Sequence, residues 1–363
     1  MKIMKKIRLR HIVLAAANAA VLAAALILTI MGGSLAKSQR YNYAADRWTQ
    51  GRGGFTQMSC FFADDSGFIR DNVISVRAAL LDSLSAAAVY PEDGKTLCPD
   101  AYSAPAGRFQ VDCGRMSPAQ ADVTAVGGEF FLFRSFDLLS GNYISGSDIM
   151  KDGAVIDRTL AFKLFGSENI AGMSVYINGV QFRVAGVIGD PRTKYERECA
   201  GDYPKMYISY EMAEKLTDSG GQFRRVSCYE VMIPDPVENF GYNAADKIFS
   251  SYADKVIMVN NTDRFSSSVR VKAAAKLSRS GVRNEAVRLP YWENASRIVE
   301  HKLSVMYTVR LGLLAVPALT AVWLIVKAYK WLRCKAKSAF RFVSDRIYSL
   351  RCRLAAFMRR EKN

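Results

Sequence analysis

Histidine is nearly absent from this chain, with two among 363 residues, and none of its seven cysteines forms a Cys-x-x-Cys pair. A zinc site of ordinary spacing therefore has no support. No G-x-x-x-x-G-K-S/T sequence and no glycine-rich phosphate loop occurs, so the chain is not expected to hydrolyse nucleotide itself. His11 and His301 stand apart from any nucleophile in the sequence and read as structural or solvated. The acidic pairs Asp64-Asp65 and Glu196/Glu198 read as solvated turn residues, because paired carboxylates alone are weak grounds for catalysis. Gly127-Gly128 and Gly153 read as turn glycines, and Phe130, Phe131, Phe133 and Phe136 as core. No catalytic residue, cofactor or metal is expected.

Net charge is also scarce where a folded domain would lie. The net charge is +16, but residues 1–10 hold five basic groups (Lys2, Lys5, Lys6, Arg8, Arg10) and residues 327–363 hold twelve basic against two acidic ones. The ends thus carry +15, and +1 remains for residues 11–326. A nucleic-acid-binding domain would carry its own basic face. Basic residues flanking apolar segments instead set orientation in a membrane.

Two such segments are present. Residues 12–32 contain no charge and only Asn18 and Thr29 as clearly polar side chains. At 1.5 Å per residue they span a hydrocarbon core of about 30 Å. A cleaved signal peptide ending at Ser34-Leu35-Ala36 is the rival, but its apolar region would be about 7–15 residues. Residues 311–326 form the second, sixteen uncharged residues between Arg310 and Lys327, with Pro317 inside. A buried core helix is its rival, and the basic run after Val326 favours a span. The expected organisation is a basic cytoplasmic stretch 1–11, a membrane helix 12–33, an extracytoplasmic domain 34–302, a second membrane helix 303–329 and a basic tail 330–363. Both termini are placed in the cytoplasm of a multi-pass plasma-membrane protein.

Between the spans, strands and helices alternate. Gln57–Phe62 reads as a strand and Ile69–Ala88 as a helix with Ile69, Val73, Val76, Leu80 and Leu84 on one face. Arg108–Asp112 and Ala121–Val126 read as strands, 128–136 as a turn or short helix, and Ala154–Ile156 as a strand. A helix Asp157–Phe165 follows, with Asp157 as N-cap and Gly166 as stop. Ser174–Val187 is a hairpin, because Asn178-Gly179 supplies the two positive-φ residues of a type I′ turn between alternating apolar positions. Later come strands at Lys205–Ser209, Ser227–Ile233 and Lys255–Val259, with helices at Tyr210–Leu216, Asn239–Ser250 and Ser267–Ser278. Both membrane helices are expected to continue outward as an antiparallel stalk. One stripe is Leu35, Tyr41, Ala45 and Trp48; the other, after Pro290, is Trp292, Ala295, Val299, Leu303 and Met306. Of the five external cysteines, Cys98–Cys113 and Cys199–Cys228 are the local disulfide pairings, although spacing leaves the connectivity open and buried thiols are the alternative.

The run from Gly127 to Gly189 resembles the extracytoplasmic core domain of MacB- and FtsX-type ABC transporter permeases. The matching positions are Phe131, Leu139-Ser140-Gly141, Ala154-Val155-Ile156, Leu164-Phe165-Gly166, Gly172, the Asn178-Gly179 turn and Val184-Ala185-Gly186-Val187. With the flanking helices the resemblance covers about residues 1–330. It implies a membrane-anchored α+β protein: two transmembrane helices flanking an α/β domain with a β-rich lobe inserted at about 121–222. Permeases of this family usually carry four membrane helices, so a two-helix form of the family is expected here. The resemblance implies mechanical coupling to a separate ABC ATPase, with a second permease chain as a further partner. The alternatives from other classes are a stand-alone membrane-anchored binding or sensing module and an anchored enzyme.

The tail carries Phe340, Val343, Ile347, Leu350, Leu354 and Phe357 at steps of three and four, interspersed with Arg341, Arg346, Arg351, Arg353, Arg359 and Arg360. This basic amphipathic helix fits the surface of an anionic leaflet, or an ATPase subunit.

Overall fold

The hairpin forms where expected, because its turn is local. Asn178 and Gly179 take φ of 51° and 79°, and Ile177 pairs directly with Val180. The structure is a computed structural model that describes residues 9–49, 54–91, 96–217, 223–277 and 287–360. Lys2, Lys5, Lys6, Arg8, Ser278 and the end of the expected 121–222 lobe lie outside these.

In chain order the elements are α1 (Leu9–Lys37), α2 (Ala44–Trp48), β1 (Phe55–Phe62), α3 (Arg70–Ala86), β2 (Asp100–Val111), β3 (Ala119–Gly128), α4 (Phe130–Phe133) and β4 (Leu138–Gly141). There follow β5 (Gly153–Asp157), α5 (Arg158–Phe165), β6 (Ser174–Ile177), β7 (Val180–Ile188), α6 (Lys194–Ala200), β8 (Lys205–Ser209) and α7 (Tyr210–Leu216). The last are β9 (Cys228–Pro234), α8 (Phe240–Phe249), β10 (Val256–Asn260), α9 (Ser267–Leu277) and α10 (Tyr291–Arg360). Helices α1 and α10 are long and apolar enough to cross a membrane.

Gly32–Val305 forms one unit. Its strands make a single mixed sheet in the order β10-β1-β9-β2-β3-β8-β5-β7-β4, with β6 also paired to β7. Segment 121–222 is expected as an inserted lobe. Its strands occupy one end of this sheet, β3-β8-β5-β7-β4 with β6 on β7, and join the rest through β3, which pairs antiparallel to β2 and parallel to β8. One apolar cluster lies under both halves, joining Val73, Val76, Leu80 and Leu84 of α3 to Leu160 and Leu164 of α5 and Phe249 of α8. The other face buries Ala44, Phe130, Phe133, Tyr207, Met232 and Trp292. Strand β9 is buried along its whole length, as a central strand covered on both faces must be.

Three expectations are corrected. Strand β2 starts eight residues before Arg108. Pro105 and Gly107 weaken its local signal, and they sit at a register shift in the β2–β3 ladder, where such residues are tolerated. Helix 1 does not continue as a stalk: α1 stops at Lys37, a 3₁₀ turn spans Arg40–Asn42, and α2 follows. The Arg47 guanidinium donates to the carbonyls of Tyr41 and Leu132, so the break is held in part through the Tyr41 carbonyl, which an unbroken helix would have used itself. The disulfides are not formed; Cys98, Cys113, Cys199 and Cys228 are free thiols. The twelve residues of β2 separate Cys98 from Cys113, about 40 Å at 3.3 Å per residue, far beyond disulfide reach. Cys228 begins β9, which is separated from β8 by β2 and β3, while Cys199 lies on the helix before β8.

In the second unit, comprising 9–31 and 306–360 among the described residues, Thr320 Oγ lies 2.9 Å from Asn18 Oδ1 and 2.8 Å from the Pro317 carbonyl. Such side-chain contacts join helices in lipid, where small residues also let backbones approach.

Candidate functional site

The N-terminal turns of α10 present two kinds of side chain to the domain. Trp292, Ala295, Val299 and Leu303 are buried, as their spacing predicts. Glu293, on the same turn as Trp292, is buried too, and a carboxylate removed from water requires paired donors.

Arg264, in the loop between β10 and α9, supplies them. Its side chain is 4% exposed and that of Glu293 is 3% exposed. Nη1 and Nη2 donate to the two Glu293 oxygens at 2.9 and 2.8 Å. Nε and Nη2 donate to Glu300 at 3.0 and 3.2 Å. Nη1 also donates to Asn261 Oδ1 at 3.0 Å. All five N–H groups of the guanidinium are thereby used, the full capacity of an arginine. Burial alone would push its pKa down; Glu293 and then Glu300 outweigh this and raise it. Arg297 adds a 2.9 Å bond to Glu293 and Arg270 a 2.7 Å contact with Glu300.

The network continues into the sheet. Asn261 donates to Ser59 Oγ on β1 at 2.7 Å, and Ser59 donates to Glu230 on β9 at 2.7 Å. Glu230 also pairs with Arg134, in the turn after α4. Burial disfavours the Arg134 charge, and Glu230 more than restores it, so its pKa is raised. The Arg134 guanidinium lies 4.7 Å from the Trp292 ring, within cation–π range. Starting from Trp292, the contacts run through Arg134, Glu230, Ser59, Asn261 and Arg264 and return to α10 at Glu293.

Two further bonds tie α10 beside this circuit. The hydroxyls of Tyr291 and Tyr207 on β8 are 3.2 Å apart, and Lys302 donates to the Tyr195 hydroxyl on α6 at 2.9 Å. Helix α6 also carries Glu196, which reads from sequence as a solvated loop residue. It is buried. It completes a capping box with Thr193 and accepts from the Tyr41 hydroxyl at 2.7 Å. Burial, then Glu196, raises the Tyr41 pKa.

The positions carrying the family resemblance lie elsewhere. Phe131 stacks on Tyr143 at 4.7 Å, Leu164 is buried and Phe165 packs against the core, and Gly166 closes α5 with φ of 68°. The Gly172 amide donates to the Val184 carbonyl at 2.7 Å. Gly141 combines φ of 73° with a close approach, since a Cβ there would lie 2.1 Å from the Ala185 carbonyl oxygen. At Gly186 a Cβ would lie 2.4 Å from the Asn142 carbonyl oxygen. Gly141 and Gly186 face each other in the β4–β7 pair at the end of the sheet. In the tail, Phe340, Val343, Arg346 and Ile347 are exposed on α10. The side chains of Arg341, Leu350, Arg351, Leu354 and Phe357 lie outside the described ones. Among the described residues no group of three or more His, Cys, Asp or Glu is placed to hold a metal ion.

The ionic circuit itself went unread in the sequence. Two signals were present: Glu230 stands alone within the apolar run Cys228–Pro234, and Glu293, Arg297 and Glu300 follow one another at steps of four and three along α10.

Comparison with known proteins gives this chain its place. It is similar to the extracellular domain of the noncanonic ABC-type transporter YknZ from Gram-positive bacteria, at 15% identity and TM-score 0.39, covering 56% of this chain and 100% of that one. It is similar to the periplasmic region of MacB from Actinobacillus actinomycetemcomitans at 18% identity and TM-score 0.40, over 62% and 94% of the two chains. A domain of a putative permease protein from Porphyromonas gingivalis aligns at 12% identity and TM-score 0.33, over 57% and 89%. No curated protein sequence matches. The family model of the MacB-like periplasmic core domain matches residues 19–239, more than half of the chain, and the protein belongs to that family.

Proposed function

We propose that the chain is a permease-like subunit of an ABC transporter or mechanotransmission complex, driven by a separate cytoplasmic ATPase and assembled with a second permease chain. The observation that carries this is the wiring of α10. The helix that bears the second membrane span is also the one whose first turns are bonded into the sheet through Arg264 and Arg134. The first turns of α10, within the unit that ends at Val305, cannot shift against the sheet without breaking the buried Arg264–Glu293 pair. The work of such a subunit is mechanical, and ATP hydrolysis belongs to the partner.

The basic ends support an orientation with both termini in the cytoplasm and residues 34–302 outside. Gentle-detergent purification of the tagged full-length protein tests the assembly. A nucleotide-binding ATPase in near-stoichiometric amount is the expected result. A clean preparation without one, from cells expressing the neighbouring genes, overturns the transporter reading in favour of a stand-alone binding module. Cysteine labelling from the two sides of intact cells tests the orientation; labelling of Cys334 from outside would overturn it.

A further inference from the structure

At the end of the apolar span and just beyond it, α10 carries two cation–π pairs, Lys327 over Trp323 at 4.9 Å and Lys335 over Trp331 at 4.4 Å. Aromatic and basic residues of this kind sit at membrane–water borders. The helix does not stop there; it continues to Arg360 without interruption. The stretch after Lys335 is about 38 Å long at 1.5 Å per residue.

Its apolar residues Phe340, Val343, Ile347, Leu350, Leu354 and Phe357 recur at intervals of three, four, three, four and three. That is the 3.5-residue period of an a/d seam, made to meet another helix or an apolar groove. Phe340, Val343 and Ile347 are 77%, 54% and 51% exposed. With Phe340, Ile347 and Leu354 at a, and Val343, Leu350 and Phe357 at d, the g positions hold Arg346, Arg353 and Arg360, and Arg351 is at e. No acidic residue occupies an e or g position from 339 to 360.

We propose that residues 340–357 dock by this seam onto a cytoplasmic protein whose apolar groove or helix is rimmed with carboxylates. Charge selects the occupant. A second copy of the chain in parallel register would set Arg346 against Arg351, and an antiparallel one would set g-position arginines against each other; like charges at these positions reject a partner. Lying on the bilayer would require a break between the span and the seam, and the α10 backbone has none. The inference rests on the cytoplasmic placement of the tail given above, and under that reading the ATPase is the natural bearer of the acidic rim.

The test uses full-length protein in phosphatidylcholine nanodiscs and a labelled synthetic helical peptide of four heptads with Leu at a and d and Glu at e and g. A control peptide carries Lys at e and g. The Glu peptide is expected to bind and the Lys peptide not. Kd should rise at least tenfold both for Ile347→Asp/Leu350→Asp and for Arg351→Glu/Arg353→Glu, and the second variant should gain affinity for the Lys peptide. Binding that survives the seam variant within twofold, or fails to distinguish the peptides, overturns the proposal. So does dimerisation of the chain that is lost with Ile347→Asp. A spin label at Val343→Cys, with Cys334 and Cys352 replaced by Ser, reports on lipid: accessibility to oxygen over a polar nickel complex in phosphatidylserine nanodiscs would place the seam in the bilayer and refute docking. Because the peptide replaces the natural partner, failure here leaves the transporter reading standing. Recovery of no ATPase in the pull-down leaves the docking seam standing.

Discussion

Replacing Arg264 with Met should cost more than removing a charge from any exposed ion pair of this domain. The variant deletes five hydrogen bonds and leaves the Glu293 carboxylate, 3% exposed, with Arg297 as its remaining ion-pair partner among the described residues. Removing one member of a buried ion pair typically costs about 3–5 kcal/mol, because the remaining charge is stranded rather than because the pair was strongly stabilising. For a domain of this size each kcal/mol moves the melting temperature by about 2–4 °C, so a fall on the order of 10 °C is expected. The measurement is a thermal melt of the full-length protein in detergent, followed by intrinsic fluorescence. Arg40→Met is the internal control. The Arg40–Asp46 pair spans 3.6 Å with side chains 69% and 53% exposed, and its loss should cost under about 1 kcal/mol. In Arg264→Met/Glu293→Gln the stranded charge is gone, so the double variant should be less destabilised than the sum of the singles by roughly 0.5–3 kcal/mol. An Arg264→Met protein melting within 2 °C of the parent would refute the reasoning, and with it the claim that the buried ion pair ties the first turns of α10 to the domain.

Thiol reactivity should divide the cysteines at pH 8: burial pushes the Cys98 thiol up to about 12 and raises those of Cys60 and Cys228, whereas Cys334 is exposed. Brief alkylation followed by mass spectrometry should modify Cys334 first and Cys60 and Cys228 only after denaturation; a Cys98–Cys113 crosslinked peptide would contradict the strand that separates them. Burial disfavours the Asp122 carboxylate, but hydrogen bonds from Lys205 at 2.8 Å and Arg108 at 2.9 Å outweigh it and hold its pKa below the usual range. Its stabilisation is therefore present above the ordinary aspartate pKa of about 3.9 and is lost as pH falls through the depressed folded value. Asp122→Asn should flatten the acid limb of a stability–pH curve below about pH 4, and an unchanged limb would remove Asp122 from the account. Gly141→Ala forces a Cβ onto the Ala185 carbonyl oxygen, while at Gly179, φ 79°, a Cβ meets nothing within 4 Å. Gly179→Ala should cost only the left-handed strain of about 1–2 kcal/mol, Gly141→Ala distinctly more, and equal costs in urea titration would contradict the close approach.

Much of the fold was legible because its signals are local. Asp157 caps α5 by accepting from the Leu160 amide at 2.7 Å, Gly166 ends it, and Asn178-Gly179 turns the hairpin, each within a few residues of the element it controls. The α3 face and the α10 stripe were legible from periodicity, since a helix that buries one side must repeat its apolar residues near every 3.6. The stalk on the first helix was misread for the same reason. Leu35, Tyr41, Ala45 and Trp48 satisfy a helical spacing, but Arg47 takes the Tyr41 and Leu132 carbonyls and stabilises a broken path that no periodicity encodes.

From the chain alone came the two apolar spans, the basic ends, the strand–helix alternation, the family resemblance and the absence of a nucleotide or zinc motif. The resemblance rests on the matched motifs between Gly127 and Gly189; the rest follows from composition and short-range spacing. The folded arrangement settled matters that depend on distant partners. Segment 121–222 joins one continuous sheet, because β3 finds both β2 and β8. The cysteines stay apart, because β2 is extended throughout. Arg264 reaches Glu293 and Glu300 across 29 and 36 residues, and Arg134 reaches Glu230 across 96. Buried charges must be paired wherever they fall, but a sequence states only that Glu230, Glu293 and Glu300 need partners; the packing of α10 against β1, β9 and the β10–α9 loop decides which arginines meet them.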